Sequence, residues 1–371
     1  MKALRLLKLT VFSFLLIFPI SVAAAPTPEY QPDEYFRGSV VKIKQESAPD
    51  ESGIVLQMVD VSLKDESGTK KIQEVVNMVD KKTKRGPVKI GDDVVVIKVP
   101  DTVNGDQFYI SDNYRLGNIA LFAALFFVVV LILGRWRGLT SIVGLIGGVV
   151  VLAGFIIPLI VRGYNPLLVV TTGSLVIICV SMFFAHGFNK STTLSVVSTG
   201  ITLALASVLA YTAVHLTFLF GTGSEEAMFV SFGSTDSLDL RGILLAGIII
   251  GTLGVLDDIT TAQTAAVREL HDAKPNMTFA EMFGRVMRIG REHIASLVNT
   301  LVLAYAGASF PLFLLFYTSN AQPLWALVNS QQIAEELVRT LVGSTSLVLA
   351  VPISSAIAAY YYTKKPALDK K

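Results

Sequence analysis

The sequence predicts an α-helical polytopic membrane bundle, about seven transmembrane helices after a signal peptide, with a small N-terminal extracytoplasmic all-β domain. Composition, the length of the apolar runs and the confinement of charge to one region carry that prediction. Of 371 residues, 52% are hydrophobic and 16% charged, against about 45–50% and 25% in an average soluble domain. Between Glu29 and Asp112 lie twelve Lys/Arg and sixteen Asp/Glu, 28 of all 60 charged side chains, in less than a quarter of the chain. The rest is apolar enough for a bilayer. A formal net charge of +2, with no basic stripe interleaved with aromatics, gives no footprint for nucleic acid. The single cysteine, Cys179, stands in an apolar run; one cysteine makes no intrachain disulfide or cysteine metal cluster, and its reading is an apolar filler.

At the amino terminus, Lys2, Arg5 and Lys8 precede the apolar run Leu9 to Ile20 and then Ser21-Val22-Ala23-Ala24-Ala25-Pro26. A basic region, an apolar region and small residues in that order read as a signal peptide over 1–25, with cleavage preferred after Ala24; an uncleaved anchor is the alternative. Either way the following segment, 29–112, is placed outside the cytoplasm. There the pattern changes to short β-branched runs at Gly38, Ile54, Glu74, Asp93 and Gln107, separated by turn signals such as Gly91-Asp92 and Asn104-Gly105. Five short strands predict a small barrel or sandwich, an OB-like barrel among the options. Its expected role is to bind an envelope protein or to act as a passive cap.

A hydrocarbon core about 30 Å thick needs around 20 apolar helical residues. Seven segments within 117–363 meet or approach that length: 117–134, 139–161, 166–186, 192–219, 242–262, 294–317 and 338–361. With the β domain outside, seven crossings leave the carboxyl terminus and the basic tail 364–371 in the cytoplasm. The loops then on that side hold Arg135, Arg137, Lys190, Arg268, Lys274, Arg285, Arg288 and Arg291, while the opposite loops hold mainly Arg162, Arg241 and Arg339, a positive-inside bias. Between the fifth and sixth segments, Thr278 and Glu281 form a capping-box pattern. The helix they start is amphipathic, with Phe279, Met282, Phe283, Val286, Met287 and Ile289 on one arc. It lies either on the inner membrane surface or on the protein's own cytoplasmic face.

The stretch from Gly251 to Thr264 concentrates polar groups inside a predicted span. Asp257 and Asp258 lie roughly 23 Å along a helix entering near Gly242, and carboxylates at such depth are costly and usually functional. Gly247, Gly251, Gly254 and Asp258 recur at spacings of four, three and four. That predicts a close-packing glycine face aiming Asp258 into the bundle, with Asp257 turned about 100° away. Thr260, Thr261 and Gln263 add neutral oxygens suited to a proton or a hard cation. The alternative is a helix end whose acids reach cytoplasmic water or nearby arginines. In the sixth span His293, Ser296, Asn299 and Thr300 are the candidate partners. In the seventh, Arg339 either clamps an outer acid or lines a solute path. His215, four residues after Tyr211, is a further lead.

No P-loop, His-Glu-x-x-His, Gly-x-Ser-x-Gly or Cys-x-x-Cys motif occurs, so no ATPase, metalloprotease or serine hydrolase chemistry is expected, nor any cofactor or metal centre. The motifs Gly254-Val-Leu-Asp-Asp-Ile-Thr-Thr-Ala-Gln263, Gly290-Arg-Glu-His-Ile-Ala-Ser-Leu-Val-Asn299 and its continuation to Ser309, and Glu335-Glu-Leu-Val-Arg-Thr-Leu-Val-Gly343 followed by Val351-Pro352 resemble those of the YibE/F-like family of bacterial multi-pass membrane proteins. The resemblance runs from about Gly117 onward and implies a location in the plasma (inner) membrane. It implies no particular solute or reaction. The expected function is a gradient-driven permease or exporter of a small solute or ion working through the intramembrane aspartates, with a proton or cation as partner. The alternative is a non-transporting membrane scaffold whose β domain holds an envelope protein.

Overall fold

A computed structural model describes residues 34–49, 53–64, 70–80, 86–100, 105–233, 238–318 and 323–364. The expected signal peptide and the tail beyond Lys364 lie outside these residues. The chain forms two compact units, one containing all the strands and running to Val129, the other beginning at Val130.

In the first unit, β1 (Glu34–Glu46), β2 (Ile54–Lys64), β3 (Lys70–Asp80), β4 (Asp93–Val99) and β5 (Gln107–Asn113) close into a barrel in the order β1-β2-β3-β5-β4. The five expected strands therefore make a barrel and not a sandwich, because β1 pairs antiparallel with both β2 and β4. Alternation directs Val59, Val61, Val75, Val94 and Val96 inward, each at 0% exposure. Gly38 is required where β1 crosses this core, since a Cβ there would lie 2.4 Å from Val61 Cγ1. Two buried amides complete the interior. Gln57 Nε2 donates to the Val88 carbonyl at 3.2 Å, and Gln57 Oε1 accepts from Val88 N–H at 3.1 Å and from Asn77 Nδ2 at 3.2 Å. The glutamine thus supplies the extended segment before β4 with the hydrogen bonds a strand neighbour would provide.

The second unit is helical. α1 (Leu116–Val151) starts in the first unit, enters the second at Val130, and passes through a π-helical turn, Leu152–Ile156, into α2 (Ile157–Val161). It is followed by α3 (Pro166–His186), α4 (Lys190–Leu216), α5 (Glu225–Gly233), α6 (Leu240–Ala273), α7 (Phe279–Ala308), α8 (Phe310–Thr318), α9 (Leu324–Val328) and α10 (Gln331–Lys364). Side-chain caps start α3, α4, α6 and α7: Asn165, Asn189, Asp239 and Thr278 accept from the N–H groups of Leu168, Thr192, Gly242 and Glu281. Five helical stretches among the described residues are long and apolar enough to cross a membrane: Leu116–Val161, Pro166–His186, Lys190–Leu216, Leu240–Ala273 and Gln331–Lys364. The first, 46 residues, is broken at Arg135, whose backbone is non-helical at φ 50° and ψ −132°. The chain folds back there, so that a Cβ on Gly138 would come 2.4 Å from the Val130 carbonyl oxygen. The bend falls between the expected spans 117–134 and 139–161.

α6 and α10 pack along each other with α4, α3 and α7 around them. The main apolar cluster includes Val170, Ile178, Met182, Leu203, Ile249, Leu256, Leu347 and Val351. The surface helix expected after Thr278 and the span expected over 294–317 are divided differently: α7 runs unbroken from Phe279 to Ala308, and the apolar stretch resumes after Ser309 as α8. Met282 and Val286, at 0% exposure, pack with Val267, Met277, Ala358 and Ala359. The Met282 and Val286 part of the amphipathic arc therefore rests on the protein's own helices, while Phe279 and Ile289 of the same arc are exposed, at 42% and 45%.

Candidate functional site

The helices converge on a polar layer built around the middle of α6. Asp257 is half-buried and accepts a hydrogen bond from Ser181 Oγ of α3 at 2.8 Å through Oδ2. Its Oδ1 is buried without a partner among the described residues, as are Thr261 Oγ1 and Thr264 Oγ1. Positions 257, 261 and 264 follow helical spacings of four and three, so these oxygens share one face of α6. One turn away, Thr260 Oγ1 lies 2.7 Å from Thr199 Oγ1 of α4, and the Thr260 carbonyl accepts from Ser195 Oγ at 3.3 Å. Deeper along α6, Gln263 Oε1 accepts from Ser355 Oγ of α10 at 3.1 Å, and its Nε2 stands 3.5 Å from His293 Nδ1 of α7. Gly290 permits that approach: a Cβ there would lie 2.4 Å from Val351 Cγ1 and 3.3 Å from Gln263 Oε1.

This arrangement reverses the expected roles of the two aspartates. Asp258 is exposed, with Gly247, Gly251 and Gly254 exposed on the same side of α6. A Cβ on Gly247 or Gly254 would meet nothing within 4 Å, and one on Gly251 would meet only the Tyr305 hydroxyl at 3.4 Å. The glycine stripe is therefore not the packing face within this chain. α6 packs through its large side chains, Ile249, Leu253, Leu256 and Ile259, together with Thr260 and Gln263, and Asp257 borders that face.

The remaining expected residues divide. Thr260, Thr261 and Gln263 lie in the layer with Asp257. Asn299 and Thr300 are exposed, and Thr300 Oγ1 bonds back to the Ser296 carbonyl at 3.0 Å; neither joins the carboxylates. Arg339 pairs with Glu336 at 3.2 Å on α10, about 24 Å along that helix from Ser355 at 1.5 Å per residue. It is an acid clamp at the other end of the bundle. Ser181, Ser195, Thr199, Thr264 and Ser355 belong to the layer and were not singled out by the sequence. The Ser/Thr content of the fourth span was visible but reads equally as small-residue packing. Ser195 and Thr199 of α4 also bond back to carbonyls of their own helix, those of Ser191 at 3.2 Å and Ser195 at 2.9 Å, so sequence alone does not show which hydroxyls reach across.

Long apolar helices packed around a buried layer of hydroxyl, amide and carboxyl groups point to the class: a membrane protein. A family model described as YibE/F-like protein matches residues 122–364, about two thirds of the chain, and the chain belongs to the YibE/F-like family. No curated protein and no solved structure matches it.

Proposed function

We propose that this protein is a gradient-driven permease or exporter of a small solute or ion, with the Asp257 carboxylate as the proton or cation site. Its setting is the plasma membrane. The bend at Arg135 and the stretch from α7 into α8 supply the crossings beyond five that make seven, with the β domain outside and the carboxyl terminus in the cytoplasm. The observation that supports the reading is the row of unspent oxygens on one face of α6, Asp257 Oδ1, Thr261 Oγ1 and Thr264 Oγ1. One carboxylate oxygen and two hydroxyls that make no hydrogen bond among the described residues form a donor set for a proton or a hard cation, and buried polar oxygens left unpaired for packing alone would be a cost without a return. The layer does not require an enzyme.

The test is ion movement in proteoliposomes carrying a trapped pH-sensitive dye, with proton and sodium gradients imposed in turn. Asp257→Asn is expected to lower the rate to that of empty liposomes while thermal unfolding in detergent stays as in the parent protein. Asp258→Asn, at the exposed neighbour, is expected to retain most of the rate. Equal rates in the parent and Asp257→Asn would sink the reading.

The scaffold alternative has one observation in its favour. Leu56 and Met78 are partners across β2 and β3, and both are exposed, at 43% and 48%, a small apolar patch of the kind that takes a protein partner.

A further inference from the structure

A cavity of about 480 Å³ opens where the ends of α3, α4 and α6 meet, lined by Leu167, Tyr211, His215, Phe220, Asp239 and Arg241 among others. That volume lies within the range of small-molecule sites, about 300–1,000 Å³. It is a different place from the polar layer: Arg241 precedes Asp257 by 16 residues on α6, about 24 Å of helix. One wall is aromatic. The rings of Tyr211 and His215 lie against each other with centroids 4.0 Å apart and planes tilted by 34°, and His215 Nδ1 is held at 2.8 Å by the Tyr211 carbonyl. Opposite in charge character is Arg241. Its Nε donates to the Leu219 carbonyl at 2.9 Å, its guanidinium carbon lies 5.1 Å from the Phe220 ring centroid, and that hydrogen bond is the guanidinium's only one among the described residues. Among the described residues the cationic group is thus held by a neutral carbonyl and a ring, with no hydrogen bond on its terminal nitrogens and no ion pair to a carboxylate.

The backbone adds to the same field. α3 and α6 begin side by side, since a Cβ on Gly242 would come 2.5 Å from Pro166 Cγ, and Leu167, Leu240 and Arg241 of their first turns all line the cavity. First-turn N–H groups point out of a helix end and carry its positive pole. The acid in the wall, Asp239, accepts from Gly242 N–H at 3.0 Å through Oδ1 as the cap of α6. It limits the total negative charge that a ligand can bring.

We propose that this cavity is a binding site for a phosphate ester of low charge, with the phosphate oxygens on the Arg241 guanidinium and the organic part against Tyr211, His215 and Phe220. A planar fork of donors beside further N–H groups suits a phosphate group, and the aromatic wall suits a glycerol-sized or larger substituent. A phospholipid headgroup and a soluble phosphate ester present this same chemistry. The site does not depend on Asp257, so its failure and that of the transport reading are separable.

The experiment uses the full chain in detergent with two probes. Glycerol 3-phosphate binding is measured by calorimetry, and retention of phosphatidylglycerol by native mass spectrometry. Binding of either probe that Arg241→Gln weakens about tenfold or more, the loss of a charged hydrogen-bonding group, supports the site; which probe binds identifies its source. Because Arg241 also tethers the Leu219 carbonyl, Asp239→Asn is the second variant. Asparagine keeps the helix cap and removes a negative charge from the wall, so binding should tighten by about two- to fivefold. Absence of binding by both probes overturns the proposal, as does binding indifferent to both substitutions.

Discussion

At the scale of single residues, position relative to the neighbours decides what a charged group does. In the barrel, Lys44 Nζ lies 2.6 Å from Glu74 Oε2 and 2.9 Å from Asp60 Oδ1. Its hydrogen bond to Glu74, and then that to Asp60, hold the ammonium pKa above the ordinary lysine value of 10.5. The sign follows from linkage: a raised folded pKa gives a stabilisation fully present below about 10.5 and lost as pH rises through the folded value. An NMR titration of Lys44 should therefore have its midpoint above the ordinary value, and Glu74→Gln should bring it down; a midpoint unchanged by that substitution would contradict the assignment. The aspartate pair of α6 teaches the same lesson about legibility. The acids and the neighbouring Thr260, Thr261 and Gln263 were readable because polar groups stand out in an apolar run. Which acid faces the protein was not, because the glycine spacing pointed to Asp258 while the large side chains at 249, 253, 256 and 259 turn α6 the other way.

At the scale of elements, capping and periodicity were read well and continuity was not. Thr278 starts α7 as its pattern predicts, with the hydroxyl accepting from Glu281 N–H at 3.3 Å. The apolar and amphipathic halves of α7 differ in character, which invites a boundary near residue 293, but neither Pro nor a capping residue interrupts the chain there and the helix continues. Two of its glycines, Gly284 and Gly290, give a paired prediction. Gly290 sits where α7 crosses α10, with a Cβ meeting Val351 Cγ1 at 2.4 Å, whereas a Cβ on Gly284 would meet nothing within 4 Å. Gly290→Ala should destabilise by about 1–3 kcal/mol through overpacking. Gly284→Ala should stabilise by about 0.5–1 kcal/mol by lowering the entropy lost on helix formation. Unfolding of the two variants in a denaturing-detergent titration checks both signs, and destabilisation of equal size at the two positions would refute the close crossing.

At the scale of the whole molecule, the barrel and the helical bundle have separate hydrophobic cores. The valine cluster around Val59, Val61, Val75 and Val96 draws only on the strands and their connections, and the cluster around Ile249, Leu256 and Val351 only on the helices. The family match, 122–364, likewise falls on the helical part. Two cores of this kind can part without either losing its interior, which turns the choice between transport and scaffolding into a deletion. Removing residues 29–112 should leave a bundle that inserts and melts cooperatively, because none of the side chains bonded around Asp257 comes from the strands. If Asp257 carries ions, proteoliposomes of the deleted protein keep flux that Asp257→Asn then abolishes. If the protein is a scaffold, the deletion removes its envelope partners, and the full-length protein shows no Asp257-dependent flux to begin with. Leu56→Ser with Met78→Ser makes the complementary change: loss of a cross-linked partner at constant flux would assign the exposed patch on β2 and β3 to partner binding and leave ion movement to the layer around α6.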